Sequence, residues 1–471
     1  MALLNPGFEQ ALTGWDSDGA STPAARSGSL ALLHAEGRRN TTQTATGLTK
    51  GWYTLKAWVR FDGEPAEAWL QLSDGATSAQ ARVPLVRDNW LHVVVSAEVT
   101  TGRCTLGLGS DLPGGTSVSF DDIELIPGRA ALTIRGADIS SLKKSEDLGG
   151  RYRDADGAPA DALTILTDHG LNYARLRVWV DSPDRYHGVA QLLEMARRIT
   201  ARGLKLLVDF HYADSWADPG KQPKPRAWAD LGFEDLKRAV FDHTDEVCRL
   251  LLDQGTPPDM IQIGNEVTNG LLWPDGRNAQ GFAALAALLA EGCRAVRARS
   301  PETRVMLHID NGGNNALYRW WFDSILAQGV DFDLIGASYY PYWHGTLADL
   351  QSNLDDLAER YGRDIVVVET SYAFTADDCD GYPNVISTEA VAGYRFTPEG
   401  QARILSDVAS IVRAVPHGRG LGVLWWDATW IPVPGNGWDP ADPTAGNNWE
   451  NQALFDFEGY PLPALRVLGR A

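Results

Sequence analysis

The chain has 471 residues, with 42 basic against 61 acidic side chains and a formal net charge of -19. With 44% apolar and 22% charged residues it is globular in composition, so disordered and collagen-like classes are excluded. No apolar run approaches a membrane span, and the acidic balance lacks the basic footprint that nucleic-acid binding needs.

The chain reads as two unlike parts. Residues 1–127 show strand patterns separated by Gly/Asp/Ser/Thr turns. In Thr54–Phe61 the period of two sends Leu55, Ala57, Val59 and Phe61 to a core and Lys56, Trp58 and Arg60 outward. Glu67–Leu72 repeats the pattern, with Ala68, Leu70 and Leu72 inward and Trp69 and Gln71 outward. Leu91–Val99 and Val118–Leu125 are further strands. This spacing predicts a β-sandwich. Trp58 and Trp69, outward on what read as neighbouring strands, are candidate glycan-facing residues, because flat apolar faces suit sugar rings.

This part resembles the jelly-roll carbohydrate-binding modules through Asn5-Pro6-Gly7-Phe8-Glu9 with Gly14-Trp15, and Phe120-Asp121-Asp122-Ile123-Glu124-Leu125. The resemblance implies a structural calcium site involving Glu9 and Asp122.

Residues 128–131 read as a linker. From 132 to 471 the pattern alternates strands and helices. The predicted strands are Thr133–Asp138, Tyr173–Trp179, Lys205–Tyr212, Met260–Glu266, Arg304–Asp310, Phe332–Tyr340, Asp364–Tyr372 and Leu421–Asp427. Helices are expected between them, among them Gly188–Arg202, Phe233–Gln254, Gly281–Arg299 and Pro398–Val415. Eight such units predict a (β/α)8 barrel, whose active site lies at the C-terminal strand ends.

Polar groups crowd those ends, where burial without function is costly. Two carboxylates decide the chemistry. Glu266 closes Gln262-Ile263-Gly264-Asn265-Glu266, and Glu369 follows three valines in Ile365-Val366-Val367-Val368-Glu369. Strands four and seven face each other across an eight-stranded ring. Their carboxyls can therefore form the acid/base and nucleophile pair of a retaining glycosidase, with Arg175 placed to keep Glu369 ionised.

Here the chain from about residue 132 onward resembles glycoside hydrolase family 53, the endo-β-1,4-galactanases. The matching stretches are Arg135–Ser141, Arg175–Trp179, His211–Pro219, Ile263–Glu266, Gly270–Pro274, Ser338–Pro341 and Val366–Thr370. The resemblance implies Glu266 as acid/base, Glu369 as nucleophile and Asn265 on the sugar 2-hydroxyl. Arg175 and Tyr340 would orient Glu369. His211, Trp216, Asp218, Asp310 and His344 would grip sugar hydroxyls, and Trp426 would form the platform at the cleavage point. The family has Glu after that tryptophan; Asp427 stands here, which puts a sugar contact by this shorter acid in doubt.

The loop after Glu369 carries Asp378, Asp380 and Asn384 around Gly381, hard oxygen ligands at alternating positions that suit calcium. Bacterial family members bear an Asp-x-Asp-x-His-x-Asn calcium loop, and Tyr382 replaces the His. No cofactor is expected for catalysis, and the histidines lack HExxH-type zinc spacing. Cys104, Cys248, Cys293 and Cys379 form no CxxC pair. The start, Met1-Ala2-Leu3-Leu4-Asn5, lacks the pattern of a signal peptide. An extracellular location and a β-1,4-galactan substrate, acted on by a monomer, are expected from the family. The alternatives are another glycanase of the same clan, a mannanase or xylanase, and a non-catalytic glycan-binding protein.

Overall fold

The computed structural model describes residues 3–389 and 391–471. Two compact units are present. One takes in the chain up to Leu132 with Thr346–Asp355 and Asp407–Gly420; the other is Thr133–Gly345, Asp356–Ser406 and Leu421–Ala471.

The N-terminal strands form two five-stranded sheets. The first runs, in spatial order, Asp16–Ser17, Gly37–Thr46, Arg103–Leu112, Glu67–Ser73 and Ser78–Arg82. The second runs Ala20–Thr22, Ala31–His34, Ser117–Pro127, Gly51–Asp62 and Leu91–Val99. All pairings within them are antiparallel. The alternation works as sequence suggests: Leu55, Ala57, Val59, Phe61, Ala68, Leu70 and Leu72 are buried. A fully buried aliphatic or aromatic side chain of this kind contributes about 1.5–3 kcal/mol.

One expectation for this unit needs correction. Trp58 and Trp69 are close in sequence, but their strands belong to different sheets, so they do not share one face. The Arg26 guanidinium lies 3.7 Å from the Trp58 ring centroid, and His92 stacks on the ring at 5.1 Å. Trp69 lies over Gly109, where a Cβ would come within 2.2 Å of the indole.

The carboxylates expected to hold calcium are occupied by protein donors. Glu9 Oε1 accepts the backbone N–H groups of Ser29 (2.8 Å) and Leu30 (3.0 Å). Asp122 pairs with Arg26 Nη1 at 2.7 Å and accepts the Ser27 hydroxyl at 2.6 Å. Residues of the 128–131 stretch hydrogen-bond to the sandwich strands. The Gly128 N–H donates to Trp52 O at 2.8 Å and the Ala130 N–H to Ser96 Oγ at 2.9 Å.

The second unit contains a closed barrel of eight parallel strands: Ile134–Asp138, Tyr173–Val178, Lys205–Phe210, Met260–Ile263, Arg304–Ile309, Leu334–Ser338, Asp364–Thr370 and Gly420–Trp425. Helices intervene, the longest being Phe233–Asp253. Ile134, Leu207, Met260, Met306, Leu334, Val366, Val368 and Leu424 pack as one apolar cluster. Most strands end earlier than their apolar runs suggest. Tyr212, Glu266, Asn311 and Asp427 each take a positive φ just beyond a strand. This conformation is costly for residues with a Cβ and turns the chain out of the ladder. The polar residues gather at these exits.

Candidate active site

Glu369 reaches the mouth through an irregularity. Val366 and Val368 both belong to the apolar cluster, so strict alternation would point Glu369 away from it. The pairing register shifts here: Ala337 faces Val367, but the next residue, Ser338, faces Glu369. This β-bulge re-aims the carboxylate.

The Arg175 guanidinium, 1% exposed, organises the centre. Nη1 donates to Asp138 Oδ2 at 2.9 Å. Nη2 lies 2.8 Å from Asp209 Oδ2, 3.0 Å from Asn265 Oδ1 and 2.8 Å from Glu369 Oε1. The ends of strands four and seven thus converge on one nitrogen. Tyr340 Oη donates to Glu369 Oε2 at 2.9 Å.

One guanidinium serves three buried carboxylates. Burial pushes Glu369 up to about 7, with Arg175 and the Tyr340 hydrogen bond pulling the other way. Glu266 is driven well above the ordinary carboxylate range by burial, then by the charges of Glu369 and Asp310. Glu266 has no cation of its own among these influences. The direction is therefore clear: Glu369 ionises first and Glu266 keeps its proton, the division of labour that acid and nucleophile require.

The Glu266 backbone is also held. Gln222 Nε2 donates to Asn265 O at 2.8 Å, and Asn265 Nδ2 donates to Ala217 O at 2.9 Å. His308 Nε2 meets Ser338 Oγ at 2.8 Å, and its Nδ1 lies 3.0 Å from Gln262 Nε2. Neither Gln222 nor Gln262 stands out in sequence, since a lone glutamine carries no pattern.

The other expected residues lie as follows. His211 Nε2 meets Asp209 Oδ2 at 3.0 Å, while its Nδ1 accepts the Ala217 N–H at 3.2 Å, so Nε2 carries the proton. The Asp218 carboxylate accepts the Gly220 and Lys221 N–H groups of its own turn. Asp310 is bonded by Thr268 and Asn311. His344 Nδ1 lies 3.0 Å from Ser338 O. Trp216 and Trp426 join Trp179, Tyr340, Trp430 and Trp449 in an aromatic cluster. Trp216 stacks on Trp438 at 4.6 Å, and Trp449 meets Trp426 edge-on at 4.9 Å. Trp438 and Trp449 come from the long stretch after strand eight, which has no periodicity to flag them. Asp427 is fully buried against Arg177 (2.7 Å) and Ser141 (2.6 Å), so it binds the protein interior rather than sugar.

Of the expected metal ligands, Asp378 and Asp380 come together with Glu450, their ligand oxygens all within 4.8 Å of one another. Glu450 Oε1 accepts the Cys379 N–H at 2.5 Å; Oε2 is buried without a partner, and burial pushes the acid up to about 7. Asn384 Nδ2 donates to Asp377 O at 3.0 Å, leaving its buried Oδ1 without a partner. The unpartnered Glu450 Oε2 in a cluster with Asp378 and Asp380 is a donor set that fits a hard divalent cation.

Comparison with known proteins agrees with this geometry. The sequence profile of glycosyl hydrolase family 53 matches residues 134–468. An endo-beta-1,4-galactanase from Bacillus subtilis (strain 168) is 36% identical over 369 residues, covering 71% of this chain and 85% of that protein. An arabinogalactan endo-beta-1,4-galactanase from Thermothelomyces thermophilus is 34% identical over 72% of this chain and 100% of its own length. The Ignisphaera aggregans GH53 catalytic domain superposes with a TM-score of 0.69 and 40% identity, covering 73% of this chain and 97% of that one. The chain belongs to glycosyl hydrolase family 53.

Proposed function

We propose that the protein is a retaining endo-β-1,4-galactanase acting on galactan and type I arabinogalactan. Glu369, ionised beside Arg175 and Tyr340, attacks the anomeric carbon. Glu266 gives its proton to the departing glycosidic oxygen. Glu266, now a carboxylate, then takes a proton from water, whose oxygen attacks the same carbon and displaces Glu369. The single observation that carries this reading is the unequal partnering of the two carboxylates: Glu369 shares Arg175, and Glu266 does not. Trp426 supplies a flat face at the cleavage point. Asn265, His211, Trp216, Asp310 and His344 line the sugar path. Asp218 shapes the loop through its own turn.

The sandwich, residues 1–127, is a glycan-binding module in this proposal, with Trp58 and Trp69 as separate contacts. The barrel, 132–471, is the catalytic module. Asp378, Asp380, Glu450 and Asn384 hold a structural calcium ion, which adds charge compensation and stability. The enzyme is a secreted monomer. Reducing-sugar release from galactan, mannan and xylan is the test, with NMR of the fresh product anomer. Release from galactan with a β-product supports the proposal. Preference for mannan or xylan makes it a relative of different specificity, and no release from any polymer makes it a binding protein.

A further inference from the structure

Among the described residues, the buried polar atoms without hydrogen-bond partners include Arg177 Nε, Trp179 Nε1 and His187 Nδ1. Their residues are 3%, 1% and 7% exposed. Each such atom calls for a partner, and these three belong to residues around one space. All three residues line one cavity of about 10 Å³, whose wall also includes Trp216, Trp430 and Trp438. That volume admits a single oxygen-sized group.

The lining decides what kind of oxygen. A guanidinium Nε–H and an indole N–H only donate, so the occupant accepts at least two hydrogen bonds. The nearby charges are internally matched. Arg177 pairs with Asp427 at 2.7 Å and Lys144 with Asp184 at 2.5 Å, which leaves no free cation among these for an anion. His187 is kept well below its ordinary value by burial, then by Arg177 and Lys144, and so stays neutral. A neutral acceptor fits: a hydroxyl oxygen.

The position fits a sugar. Trp216, on the cavity wall, stacks on Trp438 at 4.6 Å and lies 5.9 Å from Trp426, which joins the cavity to the aromatic cluster around Tyr340. Trp216 is covered by Trp438 and by the Arg177 guanidinium, 4.2 Å from its ring centroid, so the half-buried Trp438 is the flat face beside the cavity, and a flat face next to polar groups suits a carbohydrate. His187 takes φ 62° without being glycine. Its backbone is clamped there: His187 O accepts the Trp179 N–H at 2.8 Å, and His187 N–H donates to Gln191. A held left-handed residue is strain retained at a specific place.

We propose that Arg177, Trp179 and His187 form a hydroxyl-binding notch that takes one hydroxyl of a pyranose seated against the half-buried Trp438. A water molecule has the same acceptor chemistry, and the experiment separates the two. The proposal rests on the reading of the barrel as a galactanase.

The test is Trp179→Phe in the full chain, which removes one donor and keeps a ring. Steady-state rates on galactan and on galactotetraose, with the melting temperature, are the readouts. The expected result is a five- to twentyfold rise in KM with kcat within twofold and the melting temperature within a few degrees. An unchanged KM, whatever the melting temperature, means the notch serves only a structural water and overturns the proposal. A crystal structure of the unaltered protein with galactotetraose decides independently of whether the variant folds. A sugar hydroxyl within 3.2 Å of Trp179 Nε1 supports the notch; a retained water there, with sugar bound elsewhere, refutes it. Wild-type protein that releases nothing from galactan refutes the galactanase reading instead.

Discussion

Tyr340→Phe isolates the hydrogen bond that stabilises the ionised nucleophile. The phenol donates to Glu369 Oε2 at 2.9 Å and sits in a buried aromatic cluster that phenylalanine can still fill. A hydrogen bond to a charged group is worth about 1.5–3 kcal/mol, which corresponds to about 1–2 pH units of carboxyl titration. The sign is fixed: a bond to the carboxylate form lowers the pKa, so its loss raises Glu369 further above about 7. Because only the ionised carboxylate attacks, the acid limb of kcat/KM moves about 1–2 pH units alkaline. At pH values below the limb the rate falls about 10- to 100-fold, in proportion to the lost ionised fraction. The assay is kcat/KM on galactan from acid to alkaline pH, with circular dichroism to confirm the fold. An acid limb that stays within about 0.3 units, or moves toward acid, refutes the assignment of that limb to Glu369.

Glu266→Gln and Glu369→Gln should each remove most turnover while the fold survives; losses below about tenfold, roughly 1.4 kcal/mol of barrier, would exclude these residues from the chemistry. Asp310→Asn removes one of the charges that raise Glu266, so the alkaline limb of the same profile should shift toward lower pH. Glu450 is protonated in the fold up to about 7 against 4.5 in the free acid, so the metal-free protein should lose up to about 3 kcal/mol as pH rises through that window. Calcium should reverse the loss, and thermal melts of Glu450→Gln should show neither the slope nor the calcium response. In galactan gels, Trp58→Ala and Trp69→Ala should retard the full chain's binding independently, since the two residues sit on different sheets; identical mobility of both variants and wild type would leave the sandwich without a glycan role through these residues.

Local patterns were readable wherever the physics is local. Period-two alternation identified the buried faces at Leu55–Phe61 and Ala68–Leu72, and apolar runs located all eight barrel strands. Alternation names a face but not a sheet, which is why Trp58 and Trp69 read as neighbours. Hairpin-like proximity in sequence does not reveal that the chain crosses from one sheet to the other between them. The same limit applies to Glu369. Three valines followed by an acid signalled a special group, but the direction of its side chain depends on a bulge against Ser338, a property of the partner strand.

Charge was legible pair by pair and not as a sum. Arg175 stands beside Glu369 as expected, yet burial, helped by the charges of Asp209 and Asp138 on the same guanidinium, leaves Glu369 with a raised rather than an ordinary titration. Glu450, far along the chain from Asp378 and Asp380, could not be linked to them by any local spacing rule. The departure at Asp427 has a geometric resolution. Asp427 accepts from Arg177 Nη1 and from the Ser141 hydroxyl, while Arg177 Nε has no partner and the residue lines one cavity with Trp179 and His187. Fully buried and bonded to the protein, the acid that follows the platform tryptophan faces no sugar itself, and its pairing fixes the Arg177 side chain on which the proposed notch depends.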